Sequence, residues 1–496
     1  MKACVVGPEW MRKTTLRSSS VTNMSQRPFW LAGSATTGDN ELTVTNPYTG
    51  QTVATVAVPS PEQVDQAVAA AHGALDATAA LPAHVRATAL AHVARRLQER
   101  SEEIAQLITA ESGKPILWAR AEVGRAVSVF TWAAEEVRRD SGRVQRLDTD
   151  SAGEGRIALI RRVPKGAVLA ISPFNFPLNL VAHKVAPAIA VGAPIVVKPA
   201  PATPLSALVL GEILAETDLP AGAFSVLPMP NELAQPLITD ERLPVISFTG
   251  GQFGWELRKM APNKHVTLEL GGNAAAVVLA DADLDWAARR IALFGNNQAG
   301  QVCIGVQRVI VEDAVYDEFA AKLVQRVEEL VTGDPADEAT QVGPLINEAA
   351  AARVEQWVNE AVAGGATVLT GGTRDGVTMA PTVLADVPDD AKVVCEEVFG
   401  PVMVLRRVSG VDEAFAEVNN SKYGLQAGVF TRDLATAFRA HRELKVGGVI
   451  IGDVPTYRAD QMPYGGVKKS GVGKEGVRSA MDDLTDERVM VLTGVL

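Results

Sequence analysis

Cysteine is scarce. Cys4, Cys303 and Cys395 are the three in 496 residues, too few and too scattered for a disulfide framework or a cysteine-rich metal knuckle. Nowhere do roughly 18 apolar residues run together, which argues against a membrane-spanning helix. Basic charge is short as well. With 47 Lys and Arg against 58 Asp and Glu, the formal net charge is −11 and the pI near 5.2. A general nucleic-acid binder carries a basic footprint, so that class is disfavoured. An anionic small substrate stays open, because one local arginine outweighs a modest global field. Internal repeats and low-complexity tracts are missing. Residues 1–24 hold Lys2, Arg12, Lys13 and Arg17 among serines and threonines but lack the apolar stretch of a secretory signal. Met24 precedes Ser25-Gln26-Arg27-Pro28-Phe29-Trp30, so a disordered extension, an over-extended reading frame and an organelle transit peptide are all open readings of this leader.

What is present is enough apolar content, 47%, for large cores and two or more domains. Gly and Pro punctuation separates short apolar runs from helical patterns, as in βαβ units. Residues 166–172 read as a buried strand, followed by the turn Pro173-Phe174-Asn175-Phe176-Pro177 and a helix over 179–191. Strands at 193–198, 223–227 and 243–248 and a helix at 203–216 continue the series, and Thr249-Gly250-Gly251 opens the next helix. Such runs favour a parallel sheet covered on both faces. Upstream, 61–75, 83–100 and 101–112 read as amphipathic helices, with Pro61 at a start and Gly113 at an end. From Asn273 a second set includes 274–279, 284–299, 307–311, 315–331 and 448–451. Residues 156–162 and 487–495 alternate apolar and polar outside both blocks.

Two reactive groups stand out. Cys303 sits among small residues in Gln298-Ala299-Gly300-Gln301-Val302-Cys303-Ile304-Gly305, and Glu269 lies in Leu268-Glu269-Leu270-Gly271-Gly272. A thiol attacks an electrophilic carbon and a carboxylate draws a proton from water, which suits building and then hydrolysing a thioester. Cys395, after Val393-Val394, reads instead as a buried small hydrophobe. Together with Pro173–Pro177 and Glu396-Glu397-Val398-Phe399-Gly400-Pro401, these motifs resemble the aldehyde dehydrogenase superfamily, from about Asn46 to about Leu492.

The resemblance implies an α/β fold with a Rossmann-type dinucleotide-binding domain (27–147 and 166–271), an α/β catalytic domain (272–474) and an oligomerisation flap (148–165 and 475–496), behind a disordered leader (1–26). It implies NAD(P)-dependent oxidation of an aldehyde to a carboxylic acid. Cys303 is then the nucleophile, Asn175 and the Cys303 N–H the oxyanion hole, and Glu269 the base that activates water. A plain turn asparagine, or a surface glutamate, is the bland alternative for each of the last two. Lys198 is implied to hold the adenosine ribose, unless it is a solvated strand-end charge, and Glu397 the nicotinamide ribose, with Phe399 beside it. Ser172, Pro173, Phe174, Thr249, Gly250, Gly251, Gly254 and Leu270 complete the cofactor set. No metal is expected.

Departures from the family pattern bear on the cofactor. Gly251 stands where most relatives have serine, and three residues rather than four separate Gly250 from Gly254. Pro201 replaces a glutamate that repels a 2′-phosphate, so NADP is acceptable although NAD is favoured. The substrate pocket is implied at Asn179, His183, Val302, Ile304, Arg458 and Tyr464. Arg458 is expected to anchor an anionic or hydroxylated group of a small aldehyde, or else to pair with Asp460 or face solvent. His183 reads as a packing residue. The stretch from Met462 to Lys468 is most similar to the lactaldehyde-type and glyceraldehyde-3-phosphate-type branches. A homodimer or homotetramer in the cytoplasm is expected, with no nucleic-acid or membrane partner. The rivals are a coenzyme-A-acylating semialdehyde dehydrogenase, disfavoured by Glu269, a cofactor-independent esterase, and a non-catalytic binding protein on the same fold.

Overall fold

The computed structural model describes residues 26–494, so almost all of the expected leader lies outside the described residues. The apolar runs VLAI, IVVK and VISFT become the buried strands Val168–Ile171, Ile195–Lys198 and Val245–Thr249. With Phe224–Val226 and His265–Glu269 they form the parallel centre of an eight-stranded sheet. Helices Asn179–Val191 and Leu205–Ala215 are apolar almost all round because they are sandwiched between this sheet and an outer layer. Pro61–Gly73 packs directly on strands of the sheet, and the outer layer includes Ala83–Glu99, Ser101–Ser112 and Ile116–Arg139. Ser60 and Gln63 close a reciprocal cap at the start of Pro61–Gly73, with Pro61 at its opening position.

A seven-stranded sheet follows. Its strands are Thr367–Thr370, Thr382–Ala385, Val402–Val408, Arg308–Glu312, Ala275–Val278, Gln426–Phe430 and Gly448–Ile451, in that spatial order, and every pair but the first is parallel. Helix Leu284–Asn296 stops short of the expected residue 299 because Gln298 and Ala299 turn left-handed, at φ 52° and 53°. Cys395, expected inside, is exposed. The short helix Lys392–Cys395 turns Val393 into the core, and a residue two positions on points the other way.

The two alternating segments pair with each other. Thr485–Thr493 lies antiparallel to Arg156–Pro164, with Arg143–Arg146 on its far side. The C-terminal stretch does more than this. Before reaching that ribbon it forms Gly471–Val472, which pairs with Leu268 and Glu269 of the first sheet, and helix Val477–Asp483, whose Val477 and Met481 enter the first core. This detour carries Gly465 and Glu475 to Glu269.

Candidate active site

The carboxyl ends of the first sheet's strands open into a cleft of about 940 Å³, large enough for an extended ligand. Cys303, Glu269 and Asn175 all line it. So do Ser172, Pro173, Phe174, Lys198, Thr249, Gly250, Gly251, Leu270, Glu397 and Phe399. Gly254 does not. It lies within helix Phe253–Met260, where a Cβ would come within 2.6 Å of Leu270, so its smallness serves helix-on-strand packing. Asn231, Glu232 and Asn347 also line the cleft, and no motif marked them. Asn231 Oδ1 accepts a hydrogen bond from Lys198 Nζ.

Cys303 follows a strained segment. Gln298, Ala299 and Gly300 are all left-handed, which costs about 1–2 kcal/mol for each residue that is not glycine. Side-chain amides hold it in place: Gln298 Nε2 donates to Asn175 O at 2.6 Å, and Gln301 Nε2 to Gln298 O at 3.1 Å. Gln301 Oε1 accepts from Ile346 N at 3.0 Å. Asn175 Nδ2 donates to Gln301 O at 2.8 Å, so its amide faces the thiol loop rather than its own turn. Its second N–H remains for another acceptor.

The thiol keeps partial access to the cleft, yet burial pushes it up to about 11. Tyr464 Oη, 3.2 Å from Sγ, works in the opposite direction. Val302, Ile304, Leu425 and Tyr464 form an apolar cluster against which Phe176 and Cys303 pack, so this cluster meets the cleft at Cys303.

Glu269 is buried, and neither carboxyl oxygen has a partner among the described residues. Burial raises it well above the usual carboxylate range, and the charge of Glu475 adds to that. Burial also acts on Glu475, but Lys184 and Arg458 outweigh it and hold that carboxyl down to about 2. Lys184 Nζ donates to Glu475 at 3.2 Å, Ser247 at 2.9 Å and Thr249 at 2.7 Å. Sequence reasoning missed both residues. Lys184 was hidden in an apolar helix, and Glu475 belongs to no motif.

Arg458 neither pairs with Asp460 nor faces solvent. It is buried, donates to Glu475 at 3.1 Å, and lies 3.8 Å from the Tyr464 ring centroid. Asp460 is already taken by Arg125 at 2.9 Å and His183 at 3.3 Å. Burial, helped by Arg458, depresses His183 to about 4, so its imidazole is neutral at physiological pH. Arg458 Nε, His183 Nδ1 and both amide atoms of Asn179 are buried without partners among the described residues. Natural cores rarely leave such groups unmet unless a water or ligand meets them.

The cleft suits a dinucleotide. Ser172 Oγ is a buried hydroxyl at its wall, without a partner among the described residues. Glu397, pushed up to about 7 by burial, accepts from Gly272 N at 2.9 Å, and a Cβ at Gly271 would overlap its carboxyl. Lys198 is almost fully buried, and burial lowers it to about 8. Phe399 meets Phe174 edge-on at 5.9 Å. An ammonium, a carboxyl and a hydroxyl around an aromatic floor are what ribose hydroxyls and a nicotinamide ring need.

The model of the aldehyde dehydrogenase family matches residues 34–490. The chain belongs to the aldehyde dehydrogenase family. It is therefore an oxidoreductase of the NAD(P)-linked kind. Among curated relatives of this aldehyde dehydrogenase, the 3-sulfolactaldehyde dehydrogenase of Priestia aryabhattai is 43% identical over 96% of this chain and 99% of its own. Among solved structures, aldehyde dehydrogenase 21 from Physcomitrella patens, in complex with the reaction product succinate, superposes with a TM-score of 0.94. It is 46% identical and covers 96% of this chain and 99% of that one. A glyceraldehyde-3-phosphate dehydrogenase from Methanocaldococcus jannaschii complexed with NADP gives 0.88 at 36% identity, over 92% and 100%. Among the described residues no helix is long and apolar enough to cross a membrane.

Proposed function

We propose that this enzyme oxidises a small anionic aldehyde to its carboxylate, with Cys303, Asn175 and Glu269 as the reacting and stabilising groups. The observation that carries the reading is their convergence on one cleft. Cys303 reacts as its thiolate, the S–H proton having left to solvent: the sulfur adds to the aldehyde carbon, and the carbonyl electron pair moves onto oxygen. The free N–H of Asn175 and the Cys303 backbone N–H stabilise that charge, a donor of this kind being worth about 10²–10³ in rate. Bound NAD(P) supplies the hydride acceptor. Lys198, Glu397 and Ser172 would hold it, with Phe399 against the ring. What remains on Cys303 is a thioester. Glu269 takes a proton from water, the water oxygen adds to the thioester carbon, and the C–S bond breaks to release the acid. Burial and the charge of Glu475 raise Glu269 above the usual carboxylate range, which makes it a stronger base than a solvated carboxylate.

The anionic group is assigned to Arg458, whose buried Nε lacks a partner among the described residues. Sulfolactaldehyde and succinate, named for two relatives, both carry such a group. Pro201 stands at the cleft in place of an acid that would repel a 2′-phosphate, so NADP is accepted beside NAD, which is moderately preferred. The half-exposed Val489, Met490 and Val491 on the strand Thr485–Thr493 support a homodimer or homotetramer. The enzyme is assigned to the cytoplasm.

Glu269→Gln tests the mechanism. A stopped-flow trace should show about one reduced cofactor per active site and then stall, with the acyl group on Cys303 detectable by mass. Sustained turnover at the wild-type rate removes Glu269 as the deacylation base. Release of the product as a coenzyme A ester, only when coenzyme A is added, would instead favour the acylating rival.

A further inference from the structure

Helix Asn179–Val191, which starts directly after the Asn175 turn, has no side-chain cap of its own. A carboxylate from another helix meets its first N–H groups. Glu122 Oε1, on Ile116–Arg139, accepts from Leu178 N at 2.9 Å and Asn179 N at 3.0 Å. Its other oxygen pairs with Lys114 Nζ, and both side chains are fully buried. Lys114 Nζ in turn stands 3.9 Å from the centroid of the Phe176 ring. Phe176 follows Asn175 and packs against the cluster that touches Cys303.

One buried ion pair therefore grips the turn twice. Its anion fixes the chain three residues after Asn175, and its cation fixes the ring one residue after it. An apolar pair of equal volume often replaces a buried ion pair without loss of stability where no other group depends on the charges. It could not meet two backbone N–H groups and present a charge to a ring. Glu111 makes the contrast. It also caps a helix, Leu205–Ala215, through Leu205 N at 2.7 Å and Ser206 N at 3.0 Å, and its further partner is the Ser206 hydroxyl, with no hydrogen-bonded lysine among the described residues. Capping alone does not require the cation.

We infer that Lys114 and Glu122 are positioning residues: together they aim the Asn175 amide at the carbonyl oxygen held at Cys303, and so set kcat without touching aldehyde or dinucleotide. The inference rests on Asn175 as an oxyanion donor. A double-mutant cycle of Glu122→Gln with Asn175→Ala tests it in the full-length enzyme. Glutamine keeps an oxygen for the two N–H groups but loses the charge that pairs with Lys114. Glu122→Gln alone should lower kcat about 10- to 100-fold, the scale of a misplaced group, with the dinucleotide Kd from fluorescence quenching unchanged. In the Asn175→Ala background the same change should cost less than about twofold, because there is no donor left to misplace. Lys114→Arg, which keeps the pair and the charge on the ring, should recover at least half of the wild-type kcat. Phe176→Leu covers the case of an insoluble Glu122→Gln and should give the same non-additive loss. Glu111→Gln is the control for capping and should lower Tm while leaving kcat within about twofold.

Equal losses in both backgrounds would reduce the pair to a structural element and overturn the inference, as would wild-type kcat in Glu122→Gln. Wild-type kcat in Asn175→Ala would overturn the oxyanion role itself, and this inference with it. The two failures are separable in one set of assays.

Discussion

Tyr464→Phe removes one hydroxyl and leaves the ring against which Arg458 stacks. In the native enzyme Tyr464 Oη lies 3.2 Å from Cys303 Sγ and is the hydrogen bond that opposes burial of the thiol. A hydrogen bond to a charged partner is worth about 1.5–3 kcal/mol, and one pKa unit about 1.4 kcal/mol. Its loss should therefore push the thiol further up and lower its thiolate fraction about 10- to 100-fold at a given pH. Well below the pKa the thiolate fraction rises tenfold per pH unit, so that factor is the same throughout the assay range. The assay is the initial rate of Cys303 alkylation by iodoacetamide in the free enzyme between about pH 8 and 10, followed by peptide mass. Exposed Cys395 serves as the internal reference. Both enzymes should give rates rising tenfold per pH unit, as parallel lines offset by that factor. Coincident lines would refute the argument. A faster variant would reverse its sign, since it would mean that the native thiol donates to the tyrosine oxygen and is stabilised in its neutral form.

Two further outcomes are expected. Arg458→Met should lower kcat/KM for aldehydes bearing a carboxylate or sulfonate about 10- to 100-fold more than for neutral aldehydes of the same length, and an unchanged ratio removes the anchor. Pro201→Glu should weaken NADP binding at least about tenfold relative to NAD, by setting a carboxylate against the 2′-phosphate. Equal effects on the two cofactors in titration calorimetry would place that phosphate elsewhere.

Several parts of the fold were readable along the chain because they obey local rules. Helix Asn179–Val191 and strand Gly448–Ile451 begin and end where turn residues and apolar runs put them. Where long-range contacts intervene, local reading fails. Leu284 to Ala299 has the pattern of one helix, yet the chain breaks at Gln298 because bonds to Asn175 and Gln301 hold it left-handed. Cys395 has apolar neighbours and still faces out, since the phase of a four-residue helix, not its composition, decides which residue is covered.

The motifs around Asn175, Glu269, Cys303 and Glu397 are contiguous, so the family resemblance that implies their chemistry was legible along the chain. The electrostatic setting could not. Glu475 stands far along the chain from Glu269, and only the detour through Gly471–Val472 brings its charge there. Lys184 and Arg458 become a shared counter-charge for Glu475, instead of a helix lysine and a partner for Asp460, only after three separate elements pack together. The order of residues determined which functional groups this enzyme possesses. Tertiary packing decided which of them lose water and which charges they then face, because desolvation and Coulomb interaction depend on distance in space and not on distance along the chain.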